Sequence, residues 1–143
     1  MLALAQRRPA EAREDFAAAR RAQGSPLEAL MEALAAAVHD AGTPEALANQ
    51  LAFVQMELGD PDFHRPAFEH ARAMLDEIRA QLESAVGTGE LAGCDTEYLA
   101  RSVQTAYTGA LVTWTIYRQG TLDEWLRGEV EAVLEPFLPP LES

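Results

Sequence analysis

The sequence predicts an all-α fold of six helices joined by short turns, and three observations carry that prediction. Ser25-Pro26, Thr43-Pro44 and Asp60-Pro61 each set an N-cap residue directly before a proline that suits the first helical position. Each pair also follows a glycine, Gly24, Gly42 or Gly59, fitted to close the preceding helix. Between these junctions apolar residues recur at steps of three and four, the period of one helix face. No segment alternates with the period of two that marks a strand.

Taken in order, the first helix spans about 1–22 with a kink at Pro9. The second, 26–40, opens on a capping box of Ser25 with Glu28, and Leu27, Leu30, Met31, Leu34 and Val38 stripe it. The third, 44–58, is striped by Leu47, Leu51, Val54 and Leu58, with Phe53 and Met56 on a neighbouring arc. The fourth covers 61–86, interrupted at Pro66, and Phe68, Met74, Leu75, Ile78, Leu82 and Val86 continue the pattern. Gly87 to Gly93, with three glycines, forms the longest loop and the segment expected to move most.

The fifth helix, 95–119, is the one around which the others are expected to assemble. Leu99, Val103, Ala106, Ala110, Trp114 and Tyr117 make its core face, while Tyr107, Leu111, Val112 and Ile116 carry apolar surface around the remaining sides. A helix apolar nearly all round must be covered on more than one side. Thr105, Gly109 and Thr113 form a row of small residues at four-residue steps that allows close approach by another helix, read here as a subunit contact. Gly120 ends the helix. Thr121 and Glu124 form a capping box that starts the sixth, 121–137, striped by Leu122, Leu126, Val130, Val133 and Phe137 and widened by Trp125 and Leu134. Pro136, Pro139 and Pro140 close it.

Composition narrows the function. The 143 residues fit one domain large enough for a core without disulfides or metal, and 48% hydrophobic with 24% charged residues is ordinary for a folded chain. The formal net charge is −12, although the first 23 residues carry five arginines against three acids, so the body is strongly acidic. Such a surface repels a phosphate backbone and argues against direct binding of DNA or RNA. Cys94 is the single cysteine, which excludes an intrachain disulfide and suits a reducing compartment. No run has the roughly 18 apolar residues of a membrane span, and Met1 to Ala5 is too short for a signal core, so a cytoplasmic protein without membrane contact is expected.

Candidate chemistry is sparse. His64 and His70, with Glu69, Asp60 and Asp62 nearby, lack the His-x-x-x-His or Glu-x-x-His spacing of a helical metal site. Lying six positions apart, the two histidines face different ways, so they read as solvated or pocket-lining and no metal is expected. Cys94 precedes a helix start, where a thiolate can be stabilised, but no base is spaced to activate it. Phe53, Met56, Phe68, Tyr107 and Leu111 are either plain core or the lining of a ligand cavity with Tyr107 and His64 as polar handles. Trp114 and Trp125 are core or interface anchors, with Trp125 favouring the interface. The acids of the last helix, Asp123, Glu124, Glu129, Glu131 and Glu135, read as a solvated face. No acid–base pair, nucleophile dyad or phosphate loop stands out, so the chain is not expected to be an enzyme or to need a cofactor.

The segment from Gly109 to Gly120, GALVTWTIYRQG, leads into a capped, acidic, aliphatic last helix and is preceded by Gly89-Glu90-Leu91 with Asp95 opening the long helix. In this it resembles the end of the regulatory domain of TetR-type bacterial transcriptional repressors, and the helix order extends the resemblance over nearly the whole chain. The resemblance implies that the last two helices form an intersubunit four-helix bundle with those of a partner copy. Thr105, Gly109, Val112, Ile116, Leu122, Trp125, Val130 and Val133 would lie in its interface. It also implies a pocket among the middle helices, with Phe53, Met56, His64, Phe68, Tyr107 and Leu111 touching a small apolar or aromatic effector. The family's helix-turn-helix head has no counterpart here, so residues 1–22 read as the connector leaving an absent head and 23–143 as the ligand-binding and dimerisation domain, one globular unit with it. DNA would be reached only through such a head. The contrasting reading is a self-associating helical interaction module with no ligand pocket.

Overall fold

The computed structural model describes residues 8–140 and is all-helical, with no strand among them. Six α-helices follow one another: α1 (Pro9–Ala22), α2 (Pro26–Ala36), α3 (Pro44–Leu58), α4 (Pro61–Thr88), α5 (Thr96–Tyr117) and α6 (Leu122–Leu134). A 3-10 turn, Glu135–Phe137, completes the order. The expected connector at positions 1–7 lies outside the described residues, as do positions 141–143 of the expected ligand-binding and dimerisation domain.

Side-chain caps set where five of the six helices begin. Ser25 Oγ accepts from the Glu28 N–H at 3.2 Å, Thr43 Oγ1 from Ala46 at 3.1 Å, and Asp60 Oδ1 from Asp62 at 2.9 Å. Asp95 Oδ1 accepts from both Glu97 and Tyr98 at 3.1 Å, satisfying two of the N–H groups that every helix start leaves orphaned. At α6 the expected capping box is complete, with Thr121 and Glu124 capping each other reciprocally. At α2 it is only half formed. Glu28 turns away to pair with Arg127 at 3.2 and 3.3 Å, and the carboxylate at this helix start comes from Glu90, which accepts from the Ser25 hydroxyl and from the Leu27 N–H.

Several boundaries depart from the sequence reading, each for a local reason. Pro9 opens α1 rather than kinking it, because Arg8 before it is extended. Helix α2 stops at Ala36 instead of 40, and an Ala41 N–H to Val38 carbonyl bond with Gly42 at φ 74° folds the chain back so that Val38 and Ala41 stay buried. Helix α4 runs through Pro66 without interruption. Helix α5 ends at Tyr117, where Arg118 rather than Gly120 takes the left-handed position at φ 52°. A non-glycine there costs roughly 1–2 kcal/mol. The Arg118 side chain holds the turn, donating to the Thr115 carbonyl at 3.0 Å and pairing with Glu45. Gly24 and Gly59 do not adopt the positive φ expected of closing glycines; Gly42, Gly89 and Gly120 do.

Helices α4 and α5 form the centre. The α1–α2 pair packs on one side of α4, α3 lies across α4 and α5, and α6 runs back along α5 with a lighter contact to α2. Phe16, Leu30, Leu34, Leu47, Ile78, Leu82, Leu99 and Leu126 are among the side chains this arrangement buries fully. The glycine-rich loop after α4 is tied down more firmly than its composition suggests. Leu91 is buried and its N–H donates to Ala85, the Ala92 N–H donates to the Phe137 carbonyl at 2.7 Å, and Glu90 caps α2.

Candidate functional site

A cavity of about 290 Å³ opens where α3, α4 and α5 meet, beside the end of α2. Its wall is mainly hydrocarbon: Leu51, Val54 and Leu58 from α3, Phe63, Ala67 and Met74 from α4, Leu111 from α5, and Ala37. Five polar side chains interrupt this wall, Glu57, His70, Gln104, Tyr107 and Thr108. Gln104 spans two helices, its Nε2 donating to the Ala71 carbonyl at 2.9 Å. Glu57 Oε1 is buried without a hydrogen-bond partner among the described residues. A cavity lined by apolar side chains with a few convergent polar groups is the ordinary form of a small-molecule site.

Two of the six expected ligand-contacting residues, Tyr107 and Leu111, line this cavity. The other four do not. Met56 and Phe68 are 72% and 63% exposed, His64 is exposed beside Arg65 and Glu69, and Phe53 is half-buried outside the lining. Helical phase explains the split. Phe63, Ala67, His70 and Met74 follow one another at steps of four, three and four on the face turned to the cavity, whereas His64 and Phe68 share the next face round. On α3 the cavity takes 51, 54 and 58, leaving 53 and 56 on the neighbouring arc. Glu57, Gln104 and Thr108 are polar site residues that sequence reasoning missed, and His70, read as solvated or pocket-lining, lines the cavity in place of the preferred His64. The α4 stripe, stepped back by four from Met74 instead of six to Phe68, leads to His70.

A second, wider groove of about 620 Å³ lies between the end of α2 and the start of α6, lined by Glu32, Ala35, Ala36, His39, Leu122 and Asp123 among others. No phenylalanine, tyrosine or tryptophan lines it, and much of its wall is alanine and glycine, so it offers a ligand fewer contacts than the three-helix cavity. No three His, Cys, Asp or Glu side chains converge among the described residues. Cys94 is half-buried at the start of α5.

Of the residues expected at a subunit interface, Thr105, Gly109, Val112 and Ile116 are exposed along the outer side of α5, Ile116 by 66%. Leu122, Trp125 and Val133 on α6 are half-buried. Val130 is a correction, since it is 0% exposed and packs wholly within its own core, leaving no surface to offer a partner. Trp114 is buried, its indole N–H donating to the Gly120 carbonyl at 3.2 Å, while the Trp125 indole donates to Thr113 Oγ1 at 2.9 Å and its ring lies 5.7 Å from that of the exposed Tyr117. These bonds lock α6 onto α5. The outer side of the pair therefore presents Val112, Ile116 and Tyr117 as apolar surface.

The Glu45–Arg118 pair joins the start of α3 to the end of α5. Hydrogen bonding to its own backbone N–H holds the Glu45 carboxyl below the ordinary glutamate value; burial opposes this, and Arg118 and then Thr43 add to the lowering. Between α2 and α6, the Glu28 carboxylate raises the Arg127 guanidinium, with Glu131 and Asp123 contributing. Both pairs brace helices that flank the cavity or the outer face. No protein-family model, curated protein or solved structure matches this chain, so the reading of the site rests on its own geometry and chemistry.

Proposed function

We propose that the chain is the ligand-sensing, dimerising regulatory domain of a TetR-type transcriptional regulator, a repressor acting in the cytoplasm. The observation that supports this reading is the cavity between α3, α4 and α5, whose walls also make the two surfaces a sensor must influence. Helix α5 carries the exposed apolar strip, and α4 carries α1 on its opposite flank. A small apolar or aromatic effector that binds one arrangement of these helices better than another shifts the population towards it, moving α1, the connector, relative to the rest. In the homodimer α5 and α6 pack against those of a second copy as a four-helix bundle. DNA is contacted only through a helix-turn-helix head, and the domain itself performs no catalysis and needs no cofactor.

Native mass spectrometry of the purified chain tests the reading, because it reports subunit number and retained ligand together. A species at twice 15.6 kDa that takes up additional small-molecule mass is the expected result. A monomer at micromolar concentration overturns dimerisation, and a dimer that takes up no small molecule leaves a self-associating module.

A further inference from the structure

We infer that the molecule this cavity takes is an organic cation, a compact apolar or aromatic body bearing a protonated amine that Glu57 receives. The inference rests on the effector-pocket reading above and adds the charge of the ligand to it. Its starting point is Glu57, which lines the cavity and has an Oε1 atom buried with no hydrogen-bond partner among the described residues. Burying a carboxylate oxygen among hydrocarbon side chains is unfavourable unless a donor, preferably a charged one, meets it.

The protein itself offers little to meet it. No arginine lines the cavity among the described residues and the chain contains no lysine, so none of them sets a fixed positive charge opposite Glu57. The Gln104 amide is committed to the Ala71 carbonyl. His70 and Tyr107 are the other titratable side chains in the wall, and neither carries a permanent positive charge. Leu51, Val54, Leu58, Phe63, Met74 and Leu111 supply the apolar remainder. A neutral hydrocarbon would fill that part of the cavity and leave Glu57 unsatisfied, and an anion would be repelled. A protonated amine satisfies both halves with a charge-assisted bond, and the net charge of −12 draws cations towards the surface. The volume of about 290 Å³ suits a body of one or two fused rings rather than a larger one.

The test is isothermal titration calorimetry of the unaltered chain with three probes of one shape, 1-naphthylmethylamine, 1-methylnaphthalene and 1-naphthoate. The amine is expected to bind at least about tenfold more tightly than 1-methylnaphthalene, with 1-naphthoate weakest. Glu57→Gln is expected to bring the amine to the level of the neutral probe, and Ala67→Phe, which fills the same cavity, to abolish binding of both. Equal affinity for the amine and the neutral probe overturns the cation assignment and leaves the pocket standing. Failure of all three probes to bind overturns the assignment together with the pocket. An amine preference retained in a folded Glu57→Gln protein, or binding retained in Ala67→Phe, removes Glu57 or the cavity from the account. Selectivity in the unaltered chain is decisive by itself, so misfolding of either variant shelters nothing.

Discussion

Single residues show where pattern reading succeeds and where it stops. Gln81 sits in register with Met74, Ile78, Leu82 and Ala85, and it is 3% exposed. A polar residue in that register reads from sequence as a flaw in the stripe, because its partners lie on other helices. Its amide donates to the Pro26 carbonyl at 3.0 Å and its carbonyl accepts from Arg20 at 3.0 Å, tying α1, α2 and α4 together. Gln81→Leu keeps the volume and removes both bonds, and a loss of about 1 kcal/mol is expected in urea unfolding with an unchanged m-value. Glu45 gives the second prediction at this scale. Its carboxyl is lowered in the folded state, so its contribution is fully present above the unfolded-state glutamate value and disappears as the pH falls through the folded one. Stability followed from neutral pH down through the carboxylate range should therefore fall less in Glu45→Gln than in the parent. Because Glu45 is exposed, the difference will be small and will shrink further in salt. The site residues were half legible for a related reason. Tyr107 and Leu111 follow from apolar surface on a second side of α5, whereas choosing His64 over His70 required knowing the rotation of α4, which periodicity fixes only once the neighbouring helices are placed.

At the level of elements, helix starts were far more legible than helix ends. A start is specified by one side chain reaching its own backbone two or three residues on, so Ser25, Thr43, Asp60, Asp95 and Thr121 announce themselves in the sequence. An end depends on what the chain meets next. Helix α5 stops at Tyr117, where Arg118 finds Glu45 on α3, a partner 73 residues away that is not visible locally. The same distinction separates the two expected capping boxes. Glu124 pairs with no arginine among the described residues and completes its box, while Glu28 is taken by Arg127 and is replaced at its helix start by Glu90, which lies 63 residues beyond Leu27. Thr121→Ala should therefore destabilise the protein by about 1 kcal/mol, seen as a lower urea midpoint. Glu28→Ala should leave the α2 cap in place, because the Ser25 and Glu90 groups that make it are untouched.

The whole molecule poses a question that neither residues nor elements answer, namely what covers the outer side of α5. Helix α5 buries Leu99, Val103, Leu111 and Trp114 in the core, yet its Val112, Ile116 and Tyr117 remain exposed in a row beside Gly109. Glycine in the middle of a helix costs roughly 1 kcal/mol relative to alanine, and a leucine is also a better helix former. A Cβ at Gly109 would meet nothing within 4 Å in the protomer, so the fold of a single chain has no use for a glycine at this position. Gly109→Leu therefore separates two states of the molecule by the sign of its effect. If the chain acts alone, the substitution stabilises it by a few tenths of a kcal/mol up to about 1 kcal/mol and leaves its mass in solution unchanged. If two copies meet along this row, as the proposed bundle requires, the added side chain stands where the partner's backbone approaches. Dimer dissociation should then become measurable by sedimentation at micromolar concentration, with the helical content of each subunit intact. A Gly109→Leu protein that remains as dimeric as its parent places the subunit contact elsewhere and removes the outer side of α5 from the mechanism.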